Sequence, residues 1–174
     1  MHASTISLKE FISTQRNAIA AAHKAGASGL ATCAALTAMI DRALQQAYES
    51  IAGDSDRIAV LALGGYGRAE LCPKSDVDVM ILAEDGKEKA NAEALAKQLL
   101  HQLWDCGLNV GHSVRTIREA LAQKDKAIEA WASMLESRFV CGNAHLAADF
   151  ADEMRRHVAK GIDRWFIEGV FEEA

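Results

Sequence analysis

Two aspartates, Asp76 and Asp78, open a segment in which polar and apolar residues alternate. This alternation is typical of a β-strand, in which side chains two residues apart lie on the same face. Two carboxylates held side by side repel each other, and a cation between them relieves the repulsion. Their hard oxygen ligands suit Mg²⁺ or Mn²⁺. The pair therefore indicates a divalent-metal site, and the plainer alternative is two solvated residues at a strand edge.

A glycine-rich segment precedes the aspartates. Gly64, Gly65 and Gly67 follow a short aliphatic run and would allow backbone N–H groups to approach a phosphate chain closely. Arg68 and Lys74 could supply the positive charge that such a chain needs. Taken singly, a Gly-Gly pair is usually a turn, and the two cations are ordinary loop charges. Together with the aspartates they predict a nucleoside-triphosphate site for phosphoryl or nucleotidyl transfer.

Short strands must carry both motifs. Residues 58–63 form a strand that ends at the glycines, and residues 76–82 form a second strand that begins with the aspartates. The loop between them predicts a hairpin with a long connection. A helix over residues 87–106 and a third strand over residues 108–115 follow. The core is therefore a small sheet of three strands, and only helices are predicted after Thr116.

Helices are predicted on both sides of this core. The residues that begin or end them are Ser7, Gly26, Ser28, Gly53, Thr116, Gly142 and Gly161. The chain then divides into an N-terminal helical segment (1–55), a core (56–118) and a C-terminal helical segment (119–174). We expect these segments to fold as one unit of the α+β class.

Composition excludes several classes of protein. Half of the 174 residues are hydrophobic, which is too many for a disordered chain. No apolar run reaches the roughly 18 residues of a membrane helix, and no secretory signal precedes the first helix, so a cytoplasmic protein without a membrane partner is expected. The four cysteines are scattered, which predicts reduced and mostly buried thiols. The net charge of −5 disfavours nucleic acid as a partner.

The glycine and aspartate motifs together resemble the polymerase β-like nucleotidyltransferase superfamily. More narrowly, the chain resembles the N-terminal catalytic domain of the bifunctional uridylyltransferase/uridylyl-removing enzymes that act on the signalling protein PII. The segments that carry the resemblance are LGGYGRAEL at residues 63–71, Pro73, SDVD at residues 75–78, and residues 103–116 and 135–142. The similarity spans about residues 25–145.

This resemblance implies a fold, an activity and a set of site residues. The fold would be a small mixed sheet flanked by helices, and the reaction would transfer UMP from UTP to a tyrosine of PII with release of pyrophosphate. Asp76 and Asp78 would be catalytic and would bind Mg²⁺, with Mn²⁺ as a substitute. The residues assigned to nucleotide and phosphate binding are Gly64, Gly65, Tyr66, Gly67, Arg68, Lys74 and Ser75.

The chain departs from the family pattern in two respects. Many superfamily members place a third carboxylate on a later strand, but the polar side of the third strand here has none, and His112 of that strand is predicted to lie in the core. The family's HD hydrolase domain and its ACT domains, which sense glutamine, do not fit into 174 residues, so we expect a piece of a longer protein. Transfer of another nucleotide or to another acceptor, and a nucleotide-binding module that has lost catalysis, are the alternatives.

Overall fold

The structure, a computed structural model, describes residues 6–52, 56–124 and 126–159. Its helices and strands, in chain order, are α1 (Leu8–Lys24), α2 (Gly29–Ile51), β1 (Ile58–Ala62), α3 (Gly64–Gly67), β2 (Val77–Ala83), α4 (Lys89–Asp105), β3 (Val110–Thr116), α5 (Ile117–Leu121), α6 (Ile128–Leu135), β4 (Arg138–Gly142) and α7 (Ala144–Ala159).

The sheet is mixed and has the strand order β3-β2-β1-β4. Strands β1 and β2 pair antiparallel, as the predicted hairpin requires, whereas β3 pairs parallel to β2 after the crossover through α4. A parallel pair needs such a crossover, because a short turn cannot return the chain to the same end of the sheet. The α+β class and the small mixed sheet are confirmed.

Strand β4 corrects the prediction that only helices follow Thr116. It is five residues long and pairs antiparallel with β1, with an irregular register between Val60 and Leu61. The segment Arg138–Gly142 is too short for its own pattern to distinguish a strand from a helix end. Its partner lies about eighty residues earlier in the chain, so the strand is formed by tertiary pairing rather than by local preference.

Helices cover both faces of the sheet. Helices α1, α2 and α4 pack on one face, against residues such as Val79 and Ile81 of β2. Helices α5, α6 and α7 pack on the other face, against Met80 and Leu82. The core of the first face draws on all three predicted segments of the chain, and their folding as one unit remains a prediction.

The predicted helix starts at both ends of the chain are confirmed. Ser7 and Ser28 accept hydrogen bonds from backbone N–H groups three residues later, and Thr116 forms a complete capping box with Glu119. The predicted breaks at Gly53 and Gly161 lie outside the described residues. The Thr116 cap sets where α5 begins, directly after β3.

The cysteines are free, as predicted, but they are not mostly buried. Cys72 is exposed and the other three are half-buried. Cys72 lies in the loop between the glycines and the aspartates, where its Sγ atom is 3.9 Å from Sγ of Cys33 on α2. This loop therefore contacts the N-terminal helices. None of the helices in the described residues is long and apolar enough to cross a membrane.

Candidate functional site

The glycine and aspartate motifs meet at one end of the β1–β2 hairpin. Leu63, the last residue before α3, donates its N–H to the carbonyl oxygen of Asp78 at 2.9 Å. The N–H of Val77 donates to the carbonyl oxygen of Asn109 at 2.9 Å, so the start of β3 lies at the same end. This backbone pairing brings together two motifs that the chain separates by an eight-residue loop.

The two aspartates are exposed and lie on the sheet face opposite to Val77. The side-chain amide of Asn109 donates to Oδ1 of Asp76, which fixes that carboxylate near the start of β3. Although the side chain of Asp78 is exposed, the surrounding atoms displace part of its water, and this desolvation together with the charge of Asp76 raises the pKa of Asp78 above its ordinary value. The pair thus stores a repulsion that a bound cation would relieve.

Gly111 on β3 makes room for the carboxylate of Asp78. The two residues are paired in the β2–β3 register, and a Cβ added to Gly111 would lie 2.5 Å from Oδ1 of Asp78. That distance is shorter than any that real Cβ atoms adopt. The absence of a side chain at residue 111 is therefore what lets Asp78 lean toward β3.

No third carboxylate of the described residues completes a metal-binding group with this pair. Across the described ranges, no group of three or more His, Cys, Asp and Glu side chains is arranged to hold a metal ion. His112 is exposed at the sheet edge, which corrects the prediction that it lies in the core. The prediction failed because β3 is an edge strand, so sharing a face with Val110 does not guarantee that a side chain is covered.

The glycines form a single helical turn, α3, rather than an open loop. Gly64 begins the turn with a φ of +54°, a left-handed conformation that glycine adopts without strain. The first N–H groups of this turn, those of Gly64, Gly65 and Tyr66, donate to no backbone carbonyl in the described part of the chain. They are unpaired donors at a helix start, the kind of group that binds phosphate oxygens.

Gly67 differs from the other two glycines. Its N–H already donates to the carbonyl oxygen of Leu63 at 2.9 Å, so it cannot serve a phosphate. A Cβ at this position would overlap the backbone oxygen of Glu136. Gly67 therefore allows the turn to pack against the segment between α6 and β4, and its predicted role in phosphate binding is corrected.

The side chain of Tyr66 has a structural role, which leaves only its backbone N–H for the predicted binding of the nucleotide's phosphates. Its side chain is 2% exposed, which leaves no ring face for a base, and its hydroxyl donates to Oδ1 of Asp41 on α2 at 2.6 Å. Arg138 on β4 binds both oxygens of Asp41, at 2.9 and 3.0 Å, and its guanidinium lies 5.4 Å from the centre of the tyrosine ring. Burial and the negative charge of Asp41 raise the pKa of Tyr66 far above its ordinary value.

This Asp41–Tyr66–Arg138 cluster ties the glycine turn to α2 and β4. Sequence reasoning missed Asp41 and did not assign Arg138 a role. The available signal was Asp41 itself, a carboxylate close to the apolar residues Met39, Ile40 and Ala43 in the middle of a helix. A charge so placed is usually paired, but the sequence cannot name a partner that lies 97 residues away.

The remaining predicted ligands, Arg68, Lys74 and Ser75, differ in their pairing. Arg68 forms ion pairs with Glu70 and Glu136, so its charge is already matched. Lys74 is exposed and forms no ion pair among the described residues. The hydroxyl of Ser75 donates to the carbonyl oxygen of Cys72 at 3.0 Å, which closes a turn just before the aspartates. Of the two cations, Lys74 is the one available to an anion.

A helical turn of glycines beside two strand aspartates, in a small mixed sheet, is the arrangement of a nucleotidyltransferase. The profile of the family described as "Putative nucleotidyltransferase DUF294" matches residues 9–139, and the chain belongs to that family. The family resemblance found in the sequence is confirmed.

Curated relatives carry a more specific name. A "Bifunctional uridylyltransferase/uridylyl-removing enzyme" of Cereibacter sphaeroides is 41% identical over 120 residues, which cover 69% of this chain and 13% of that protein. The protein of the same name from Phenylobacterium zucineum is 32% identical over 157 residues, 85% of this chain and 17% of the relative. The protein of that name from Pseudomonas putida is 42% identical over 109 residues, which cover 62% of this chain and 12% of the relative. The chain thus spans less than a fifth of the length of these relatives.

Proposed function

We propose that this chain is the nucleotidyltransferase domain that transfers UMP from UTP to a tyrosine hydroxyl of PII, with release of pyrophosphate. The observation that carries the proposal is the juxtaposition of unpaired N–H groups at Gly64 and Gly65 with the carboxylates of Asp76 and Asp78. Such a pair of subsites suits a triphosphate chain and the cations that accompany it. The names of the relatives supply the uridylyl group, and the acceptor PII comes from the resemblance found in the sequence.

Asp76 and Asp78 would hold Mg²⁺, or Mn²⁺ in its place. Their donor set fits a hard cation, because it consists of exposed carboxylate oxygens with room for water. Desolvation and, after it, repulsion from Asp76 raise the pKa of Asp78, and a cation would offset both effects. When bound, such an ion would stabilise the negative charge on the attacking and leaving oxygens. Asn109 would keep the carboxylate of Asp76 in position through its hydrogen bond to Oδ1.

The rest of the site would hold the triphosphate in line with the acceptor. The N–H groups of Gly64 and Gly65 would bind phosphate oxygens, and Lys74 would add a positive charge. In the transfer, the tyrosine oxygen forms a bond to the α-phosphorus while the bond from the α-phosphorus to the bridging oxygen breaks. Pyrophosphate leaves with that oxygen and its electron pair, and the tyrosine proton is lost to solvent. Binding in this orientation replaces a bimolecular encounter with a positioned one.

The base and the acceptor are the parts of the proposal that need a direct test. The motifs bind phosphates and metal, so they do not themselves distinguish UTP from ATP. The protein is incubated with Mg²⁺, purified PII and each of the four nucleoside triphosphates labelled at the α-phosphate. Label transferred to PII from UTP, and lost when its acceptor tyrosine is changed to phenylalanine, is the expected result.

The other outcomes of this experiment distinguish the alternatives. Label from another nucleotide, or label on another acceptor, would replace the proposed substrates while keeping the class of enzyme. Nucleotide that binds without any transfer would support the module that has lost catalysis. In tests of Asp76→Asn and Asp78→Asn, an Asp149→Asn variant serves as a control, because it makes the same chemical change at an exposed residue on α7, beside Glu84 and Asp85 at the opposite end of β2.

A further inference from the structure

A cavity of about 480 Å³ lies on the other side of the loop that carries the aspartates. Helices α1 and α2 form two of its walls, and the residues around Pro73 together with the start of β3 form the others. Val77 lines this cavity, whereas the side chain of Asp78 projects from the opposite face of the same strand. The lining includes neither Gly64 nor Gly65, and of the groups proposed to bind the triphosphate it shares only Lys74.

The interior of this cavity is apolar. Its lining includes Ile19 from α1, Leu36 and Ile40 from α2, Leu71 from the loop and Leu108 near β3. A volume of about 480 Å³ falls within the range of roughly 300–1,000 Å³ that is usual for small-molecule sites. The space is therefore suited to the hydrocarbon or aromatic body of a small organic molecule.

The polar part of the lining has one sign of charge. Arg16, Lys24 and Lys74 border the cavity, and no Asp or Glu does. None of the three forms an ion pair with another described residue. The whole chain has more acidic than basic residues, 24 against 19, so three cations around one cavity do not follow from composition. An anion is the charge that this arrangement would attract.

We propose that this cavity binds a small organic anion, a carboxylate, sulfonate or phosphate carried on an apolar body. The apolar part enters between α1 and α2, and the anionic group lies near the three cations. Lys74 and Ser75 form part of the wall and immediately precede Asp76, and Asn109, whose side chain binds Asp76, lines the same cavity. The occupant therefore contacts the loop that positions the carboxylate of the metal site.

Two probes with a common ring system separate the apolar from the anionic requirement. We would titrate the protein with 8-anilino-1-naphthalenesulfonate and, separately, with neutral N-phenyl-1-naphthylamine, following fluorescence and calorimetry without nucleotide or metal. The sulfonate is expected to bind at one saturable site, with an affinity at least several-fold above that of the neutral probe. Arg16→Gln and Lys24→Gln should each weaken the sulfonate several-fold and leave the neutral probe unchanged.

A matched pair of tryptophan variants tests the place of binding. Ala20 and Ala18 are both exposed on α1, but only Ala20 lines the cavity. Ala20→Trp should weaken the sulfonate at least tenfold, whereas Ala18→Trp should bind like the wild type; both should keep the circular dichroism spectrum of the fold. Absent or unsaturable binding, equal affinity in the two tryptophan variants, or equal affinity for both probes would overturn the proposal. These experiments measure probe binding and not transfer activity, so their outcome does not depend on whether the proposed reaction is correct.

Discussion

Replacing Gly111 by alanine tests whether the position of Asp78 is set by the strand beside it. The added Cβ would lie 2.5 Å from Oδ1 of Asp78, and ordinary van der Waals contact begins at 3.4 Å. The carboxylate oxygen must therefore move by about 0.9 Å. Because the clash involves the free end of a side chain, the fold can absorb it, and the free energy of unfolding should fall by less than about 1 kcal/mol.

The effect on metal binding should be much larger. Metal sites tolerate shifts of about 0.2 Å in their ligand distances, and residues that orient a ligand typically contribute 10- to 100-fold in affinity. We therefore expect the Gly111→Ala variant to bind Mn²⁺ about 10- to 100-fold more weakly than the wild type. Gly29→Ala is the matched control, because a Cβ there meets no atom within 4 Å.

Calorimetric titration with Mn²⁺ measures the affinity, and chemical denaturation without metal measures the stability of the same variants. The reasoning would be refuted if the Gly111→Ala variant bound Mn²⁺ within twofold of the wild type. It would also be refuted if both glycine variants lost affinity equally, since the loss would then not depend on contact with Asp78.

Three further predictions concern stability and are checked by unfolding experiments. Gly67→Ala should destabilise the fold by about 3 kcal/mol, because its Cβ would overlap rigid backbone; a cost below 1 kcal/mol in urea denaturation would contradict the packing described. Tyr66→Phe should lower the free energy of unfolding by about 1–2 kcal/mol, because it removes the hydroxyl that donates to Asp41. The double variant Tyr66→Phe/Asp41→Asn should lose less stability than the sum of the losses in the two single variants, because the two residues share this hydrogen bond. Asp78→Asn should stabilise the metal-free protein at pH 7.5, because the raised pKa of Asp78 means that its charged form weakens the fold. The gain should shrink as the pH falls through the raised pKa and vanish below the ordinary value of 3.8, and a gain independent of pH would disprove this origin.

The sequence predicted the parts of the structure that depend on neighbours along the chain. The alternation beginning at Asp76 marked β2, the aliphatic run before Gly64 marked β1, and cap residues such as Ser28 marked the helix starts. These signals are local, because side-chain alternation and capping depend on residues a few positions apart. The hairpin and the proximity of the two motifs followed from them.

The features that the sequence could not predict depend on distant contacts. Gly64 and Gly67 look alike in the sequence, yet Gly67 is required by a backbone oxygen 69 residues later. Tyr66 lies within a motif that suggests nucleotide binding, but its burial is determined by Asp41 and Arg138 on other elements. Likewise, the short edge strand β4 forms because it pairs with β1, which lies about eighty residues earlier in the chain. In each case the deciding interaction was absent from the local pattern.

The central claim is that Asp76 and Asp78 hold the metal that the transfer reaction requires. The most direct test measures transfer of label from α-labelled UTP to PII by Asp76→Asn and Asp78→Asn, beside the wild type and the Asp149→Asn control. We predict a fall of about a thousandfold or more in the rate of each site variant, with the fold intact and the control fully active. A folded site variant that transfers label at the wild-type rate would contradict the account.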